Sequence, residues 1–110
     1  MSTAHQPIDL IFAALGHPIR RKIVEHLASS GAASITDLAA PFDVSVMAIS
    51  KHVKVLRDAL VVTIERDGRT HWCTVNFEAL RFAREWLDHH ERVSRDVELR
   101  ELAATAAGQS

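Results

Sequence analysis

Between residues 46 and 75 the spacing of apolar side chains changes once, and that change constrains the fold more than any other feature. Val46, Ile49, Val53, Leu56 and Leu60 recur at the three-and-four interval of a helix buried along one stripe. From Val61 the chain turns β-branched and aromatic in two runs, Val62-Thr63-Ile64-Glu65-Arg66 and Arg69-Thr70-His71-Trp72-Cys73-Thr74-Val75, with Asp67-Gly68 between them. Asp-Gly in that position is a strong signal for a two-residue hairpin turn, whose central residues both need positive φ.

The remaining elements follow from start and stop signals. Pro7 suits a first helical turn, Ile8, Ile11, Phe12 and Leu15 form one stripe, and Gly16 ends it. Pro18 opens a second helix with Ile19, Ile23, Val24 and Leu27 inward and Arg20, Arg21 and Lys22 outward, stopped by Ser29-Ser30-Gly31. Ser34-Ile35-Thr36-Asp37 reads as a capping box for a short third helix closed by Pro41, and Ser45 is the N-cap of the fourth. A final helix starts near Phe77 and carries Leu80, Ala83, Trp86, Leu87, His90, Val93 and Val97 on a broad apolar face before a frayed Ala- and Gly-containing tail. The expectation is a mostly α domain with a β-hairpin wing (α+β): helices at 8–15, 18–29, 34–40, 45–59 and 77–101 and a wing at 61–75. Residues 1–110 form one domain, with a core at 17–76, a dimerisation helix at 77–104 and a frayed tail at 105–110.

Two helices joined by a tight turn and followed by a hairpin describe a winged helix-turn-helix, in which the second helix enters the major groove of DNA and the hairpin reaches along the backbone. On the fourth helix Met47, Lys51, Lys54 and Asp58 lie opposite the apolar stripe, with Ala48, Ser50 and Val55 at the flanks. Short side chains permit close approach, and Ser and Lys supply donors to phosphate and base edges. The expected DNA-reading set is Ser45, Met47, Ala48, Ser50, Lys51, His52 and Lys54, with Arg66, Gly68, Arg69 and His71 gripping backbone. Position on the groove-facing helix and wing favours DNA contact over a merely solvated surface for the basic residues; His52, at the edge of the stripe, is open between core-facing and phosphate-facing roles.

Charge agrees with that placement. The net charge of −1 argues against indiscriminate coating of nucleic acid, yet residues 45–71 carry five basic against three acidic groups and form the only net-positive third. A single cysteine, Cys73, excludes an internal disulfide and a multi-thiolate zinc site, and fits a reducing cytoplasm. Met1-Ser2-Thr3-Ala4-His5 lacks the start of a signal peptide, and no stretch has the length of a membrane span, so a cytoplasmic protein without a membrane partner is expected.

Residues 9–76 resemble the ArsR/SmtB class of bacterial winged-helix repressors, through DLIFAALGHPIRRKIVEHL, ITDLAAPFDVSVMAISKHVKVLRDA and ERDGRTHWCTV in that order. The most specific piece is Ser50-Lys51-His52 followed by Val55-Leu56. The resemblance implies a homodimeric repressor on a palindromic operator, with the fourth helix in the groove, no cofactor, and an effector left open. Ile8, Ile11, Phe12, Leu80, Ala83, Trp86, Leu87, His90 and Val93 are the expected dimer interface, because the first and last helices lack partner surface in so small a domain. The rivals are a metal- or redox-responsive sensor of the same fold and a winged helix that binds only protein.

Against a metal, Asp37-Leu38-Ala39-Ala40 stands where the family's thiolate site needs cysteines. Asp88-His89-His90 offers half of the site on the last helix, but Glu101 and Ala104 replace the second half. Cys73 beside Trp72 reads as a packing residue rather than a redox switch. No Gly-x-Ser-x-Gly elbow or glycine-rich phosphate loop is present, and Ser50 and His52 are two apart on a helix, so no enzyme is expected. One departure stands out: the family usually carries Gly where Leu60 lies. Leu60 fits the core stripe, so either the helix runs on or a non-glycine cap is strained by about 1 kcal/mol.

Overall fold

The computed structural model describes residues 7–108; the polar lead at 1–6 and the tail residues 109–110 lie outside the described residues. Helix α1 spans Pro7–Leu15 and α2 spans Pro18–Ser30, each opened by a proline whose fixed φ and missing N–H suit a first turn. Strand β1 is Ala33–Ser34, α3 is Ile35–Ala39, α4 is Val46–Asp58, β2 is Val62–Asp67, β3 is Thr70–Val75 and α5 is Phe77–Gly108. No helix among the described residues is long and apolar enough to cross a membrane.

The core forms where the inward stripes meet. Ile23 and Leu27 of α2, Leu38 of α3, Ile49, Val53 and Leu56 of α4, and Val61, Val62 and Cys73 of the hairpin and its root are all essentially excluded from solvent. The helix-turn-helix is held at both starts by serine: Ser34 Oγ accepts the Asp37 N–H and Ser45 Oγ accepts the Ala48 N–H, each at 3.1 Å. Those caps fix where α3 and α4 begin and therefore how α4 crosses the core.

The wing is a three-stranded antiparallel sheet in the order β1-β3-β2, so a third strand joins the expected hairpin. Ala33 and Ser34 pair with Cys73 and Trp72. The turn itself is displaced by one residue: Asp67 pairs with Thr70, which leaves Gly68-Arg69, not Asp67-Gly68, as the central pair. Only Gly68, at φ 63°, has positive φ in this turn. A glycine at the first central position is what a type II′ turn requires, and that turn twists with the strands without asking aspartate to adopt a left-handed conformation.

The stripe of α4 is shorter than expected. Val46 is 48% exposed and Leu60 is 66% exposed, so neither belongs to the core. Leu60 instead lies outside the helix at φ 63°, donating its N–H to Arg57 O while the Val61 N–H reaches Leu56 O, each at 2.9 Å. These two bonds make a Schellman closure, in which the residue after the cap is left-handed and is usually glycine. Asn76 completes the junction: its Nδ2 donates to Leu60 O at 2.8 Å and its backbone N–H to Val61 O at 2.9 Å. Leu60→Gly is expected to raise stability by about 1 kcal/mol, since relief of roughly 1–2 kcal/mol of left-handed strain exceeds the cost of a freer unfolded glycine. Urea unfolding checks this; an unchanged or lower midpoint would mean that the leucine side chain compensates by packing.

Helix α5 continues to Gly108 rather than ending at 101, and residues 105–108 of the expected frayed tail are helical. Ala103, Ala104, Ala106 and Ala107 explain the continuation, because alanine costs least to hold in a helix. Only Ala79 and Ala83 of this helix are buried. Ile11, at 3% exposure, and Ala83, at 6%, belong to the chain's own core and so drop out of the expected dimer surface, while Ile8 and Leu80 are half-buried against that core. Phe12, Trp86, Leu87, His90 and Val93 do lie exposed, joined by Leu10, Phe82 and Val97. The Phe12 ring stands edge-on to Trp86, 5.5 Å between centroids, and ties α1 to α5.

Candidate nucleic-acid interface

With Ile49, Val53 and Leu56 buried, the helical period forces Met47, Lys51 and Lys54 onto the opposite, solvent side of α4. Met47 is 70% exposed; Ala48 and Ser50 are half-buried at the flanks. The structure brings the wing to the same place. Met47, Ser50, Arg69 and His71 line one open groove together with Ile35, Thr36 and Val46, so α3, α4 and the sheet share a surface. Thr36 and Val46 were not foreseen there, because only the packed fold brings α3 and the first turn of α4 beside β3.

Among the described residues the ion pairs are Arg57–Asp58, at 3.1 Å, and Glu91–Arg95, at 3.0 Å. Both lie away from the groove, and Lys51, Lys54 and Arg69 present their charges to solvent. At the wing tip Arg66 folds back, its Nε donating to Gly68 O at 3.0 Å. The arrangement is a shallow, cationic, small-residue surface with protruding turn and helix, suited to a polyanion rather than to an enclosed substrate.

His52 is half-buried and turned toward α2, where its ring centroid lies 4.5 Å from that of His17 and its Nδ1 lies 3.2 Å from Arg20 Nη1. Its pKa is lowered, chiefly by burial, then by His17 and Arg20. Arg20 is accordingly not an outward-facing residue of α2: its Nε and Nη2 donate to Ala14 O and Ala13 O at 2.6 and 3.3 Å. The sequence signal for this was His17 before Pro18, the N-cap place of α2, where His17 Nδ1 accepts the Ile19 N–H.

Cys73 is fully buried in β3, between Ala33 and Ile64, and burial raises the pKa of its thiol. A thiol held protonated and shielded is a poor nucleophile. His90 donates from Nδ1 to Trp86 O at 2.8 Å and stacks on the Trp86 ring. Among the described residues no three His, Cys, Asp or Glu side chains gather as a metal site.

Residues 15–65 match a family model described as a helix-turn-helix domain. The chain is 31% identical to the transcriptional repressor SdpR of Bacillus subtilis strain 168, over 70% of this chain and 84% of that protein. It is 35% identical to YuzN of the same organism, described as an uncharacterized HTH-type transcriptional regulator, over 66% of this chain and 86% of that protein. An ArsR-like transcriptional regulator from Rhodococcus sp. RHA1 superimposes with a TM-score of 0.76 at 26% identity, covering 94% of this chain and 92% of that structure. A crystal structure of an ArsR family transcriptional regulator gives a TM-score of 0.77 at 27% identity, over 86% and 97% of the two chains. These relatives are transcriptional regulators, not enzymes, and their likeness extends over both the helix-turn-helix and the wing. The chain therefore belongs to the ArsR family of winged helix-turn-helix transcriptional regulators.

Proposed function

We propose that two copies of this chain form a homodimer through α1 and α5, and that the dimer represses transcription by occupying a palindromic double-stranded DNA operator. Ser45, Met47, Ala48, Ser50, Lys51 and Lys54 face the major groove, while Arg69, His71 and the turn at Gly68 lie along the backbone, with Arg66 bracing that turn. His52 supports the helix from behind. The observation that carries the reading is the shared groove in which Met47 and Ser50 of α4 meet Arg69 and His71 of the wing. A two-fold axis would set the paired helices about 34 Å apart, one turn of duplex.

Self-association is supported by the exposed apolar face of α1 and α5. Along the exposed part of α5, Trp86, His90, Val93 and Val97 recur at intervals of four, three and four, the repeat of a helix seam packed on another helix. Repression is supported by the relative SdpR, which is named a transcriptional repressor.

The test begins with recovery of bound fragments from genomic DNA, which supplies the operator. Lys51→Ala and Lys54→Ala are each expected to weaken operator binding and to reduce the slope of log K against log salt by about one unit, as loss of one phosphate contact does. Fluorescence anisotropy over a salt series measures both. Unchanged affinity in the two variants would reject this face of α4, and indifference to DNA at low salt would favour a protein-binding winged helix.

A further inference from the structure

One side chain joins three helices behind the proposed DNA-reading surface. Arg20 projects from the first turn of α2, takes the last carbonyls of α1 with Nε and Nη2, and meets α4 through Nη1 and His52 Nδ1. A guanidinium only donates, so His52 Nδ1 accepts and the ring carries its proton on Nε2. His17 is held the same way, since its Nδ1 accepts the Ile19 N–H. The two imidazole rings thus lie in contact beside a permanent cation.

Resting on the reading that α4 enters DNA, we propose that Arg20 and His52 are positioning residues that clamp α4 to the end of α1, and that the clamp holds only while His52 is neutral. Protonation at Nδ1 turns the acceptor into a donor, sets it against Arg20, and places a second positive charge beside a fixed one. Among the described residues, the titratable and charged groups that face His52 are His17, from the α1–α2 turn, and Arg20, from α2; α1 contributes the carbonyl oxygens of Ala13 and Ala14 to the same joint. Burial, His17 and Arg20 all disfavour the proton, so the clamp opens below the ordinary imidazole value of about 6.5. Because α1 also carries Phe12 on the proposed dimer face, the same side chain links subunit pairing to the placement of the DNA-reading helix.

The sign follows from linkage. If the DNA-bound arrangement requires the closed clamp, it excludes a proton that the open arrangement accepts, so affinity is full above the His52 pKa and falls as pH drops through it. The comparison must cancel every pH dependence of binding other than that of His52. His52→Asn does so: its side-chain oxygen takes the place of Nδ1 as acceptor but cannot titrate.

Anisotropy with the recovered operator duplex, at constant ionic strength, compares the unaltered chain with His52→Asn from about pH 7.5 to about pH 5. The ratio of their affinities is expected to move about tenfold against the unaltered chain over that range. A ratio constant within about twofold, with binding intact at the higher pH, overturns the clamp and leaves the groove reading standing. Arg20→Lys keeps the charge but gathers its donors on one nitrogen in place of the planar fork of Nε, Nη1 and Nη2 that spans Ala14 O, His52 Nδ1 and Ala13 O, and is expected to lose about tenfold in affinity even at the higher pH. Long-range nitrogen–proton NMR of the free protein tests the tautomer directly and needs no variant to fold. His52 protonated at Nε2 with a midpoint below about 6.5 supports the clamp, and a proton on Nδ1 at neutral pH overturns it. If no duplex binds at low salt, the groove reading fails and the role of the clamp in DNA binding falls with it.

Discussion

Cut after Asp88, the chain is expected to stay folded, to sediment as a monomer, and to bind its operator roughly a hundredfold or more less tightly. Folding survives because every described residue of α5 beyond Ala83 is exposed, so the deleted segment supplies nothing to the core. What the cut removes is the distal part of the seam, including His90, Val93 and Val97, together with Leu99 and Leu102. At 1.5 Å per residue the 32 residues of α5 span about 48 Å, and the described residues of its outer part all lie exposed. An isolated helix of that kind is marginal in water, whereas pairing two copies hides both apolar faces. The affinity loss follows from tethering: once one recognition helix is seated, its linked twin meets the second half-site at millimolar effective concentration, and a monomer forfeits that gain. Sedimentation velocity and operator anisotropy on the truncated chain are the measurements. A truncated chain that remains dimeric would place the interface elsewhere.

Leu56→Ala is expected to cost about 3 kcal/mol of folding stability, within the range of buried leucine truncations. Leu56 is fully buried on α4, and its carbonyl receives the Val61 N–H that closes the helix. Removing the side chain leaves a void in the core that Leu56 shares with Val53 and Val61, and a close-packed interior collapses only in part to fill it. Set against a total of about 5–15 kcal/mol for an ordinary domain, the change is large. Urea unfolding at one fixed protein concentration measures it, because the proposed dimerisation would make the midpoint concentration-dependent. A loss below about 1 kcal/mol would mean that the interior around α4 repacks freely.

The parts of the fold legible in the sequence were those with a repeating signal. The stripe Ile49-Val53-Leu56 and the serine caps located α4, and the β-branched runs located the hairpin. Strand β1 escaped because two residues carry no period; Ala33 and Ser34 are strand only through β3, nearly forty positions later. Asp67-Gly68 announced the turn correctly but not its phase, since strand register, not the dipeptide, decides which residues are central. Leu60 misled because it fits a helical stripe by spacing while the chain has already left the helix. Within the candidate interface, Lys51 and Lys54 could be read from a helical wheel. The direction of His52 could not, because it is decided by Arg20, 32 positions earlier. Thr36 likewise reaches the groove only through packing of α3 beside the wing.

Asn76 fastens the place where the hairpin returns to the place where it departs, through Leu60 O and Val61 O. The intervening chain is therefore a noose drawn tight at its neck, with Gly68-Arg69 at the far end. Lengthening that far end by a residue or two would extend its reach over a phosphate strand without loosening the neck or shifting α4. On the proposed DNA reading, the length of the wing can thus set its reach along the duplex while the frame stays unchanged.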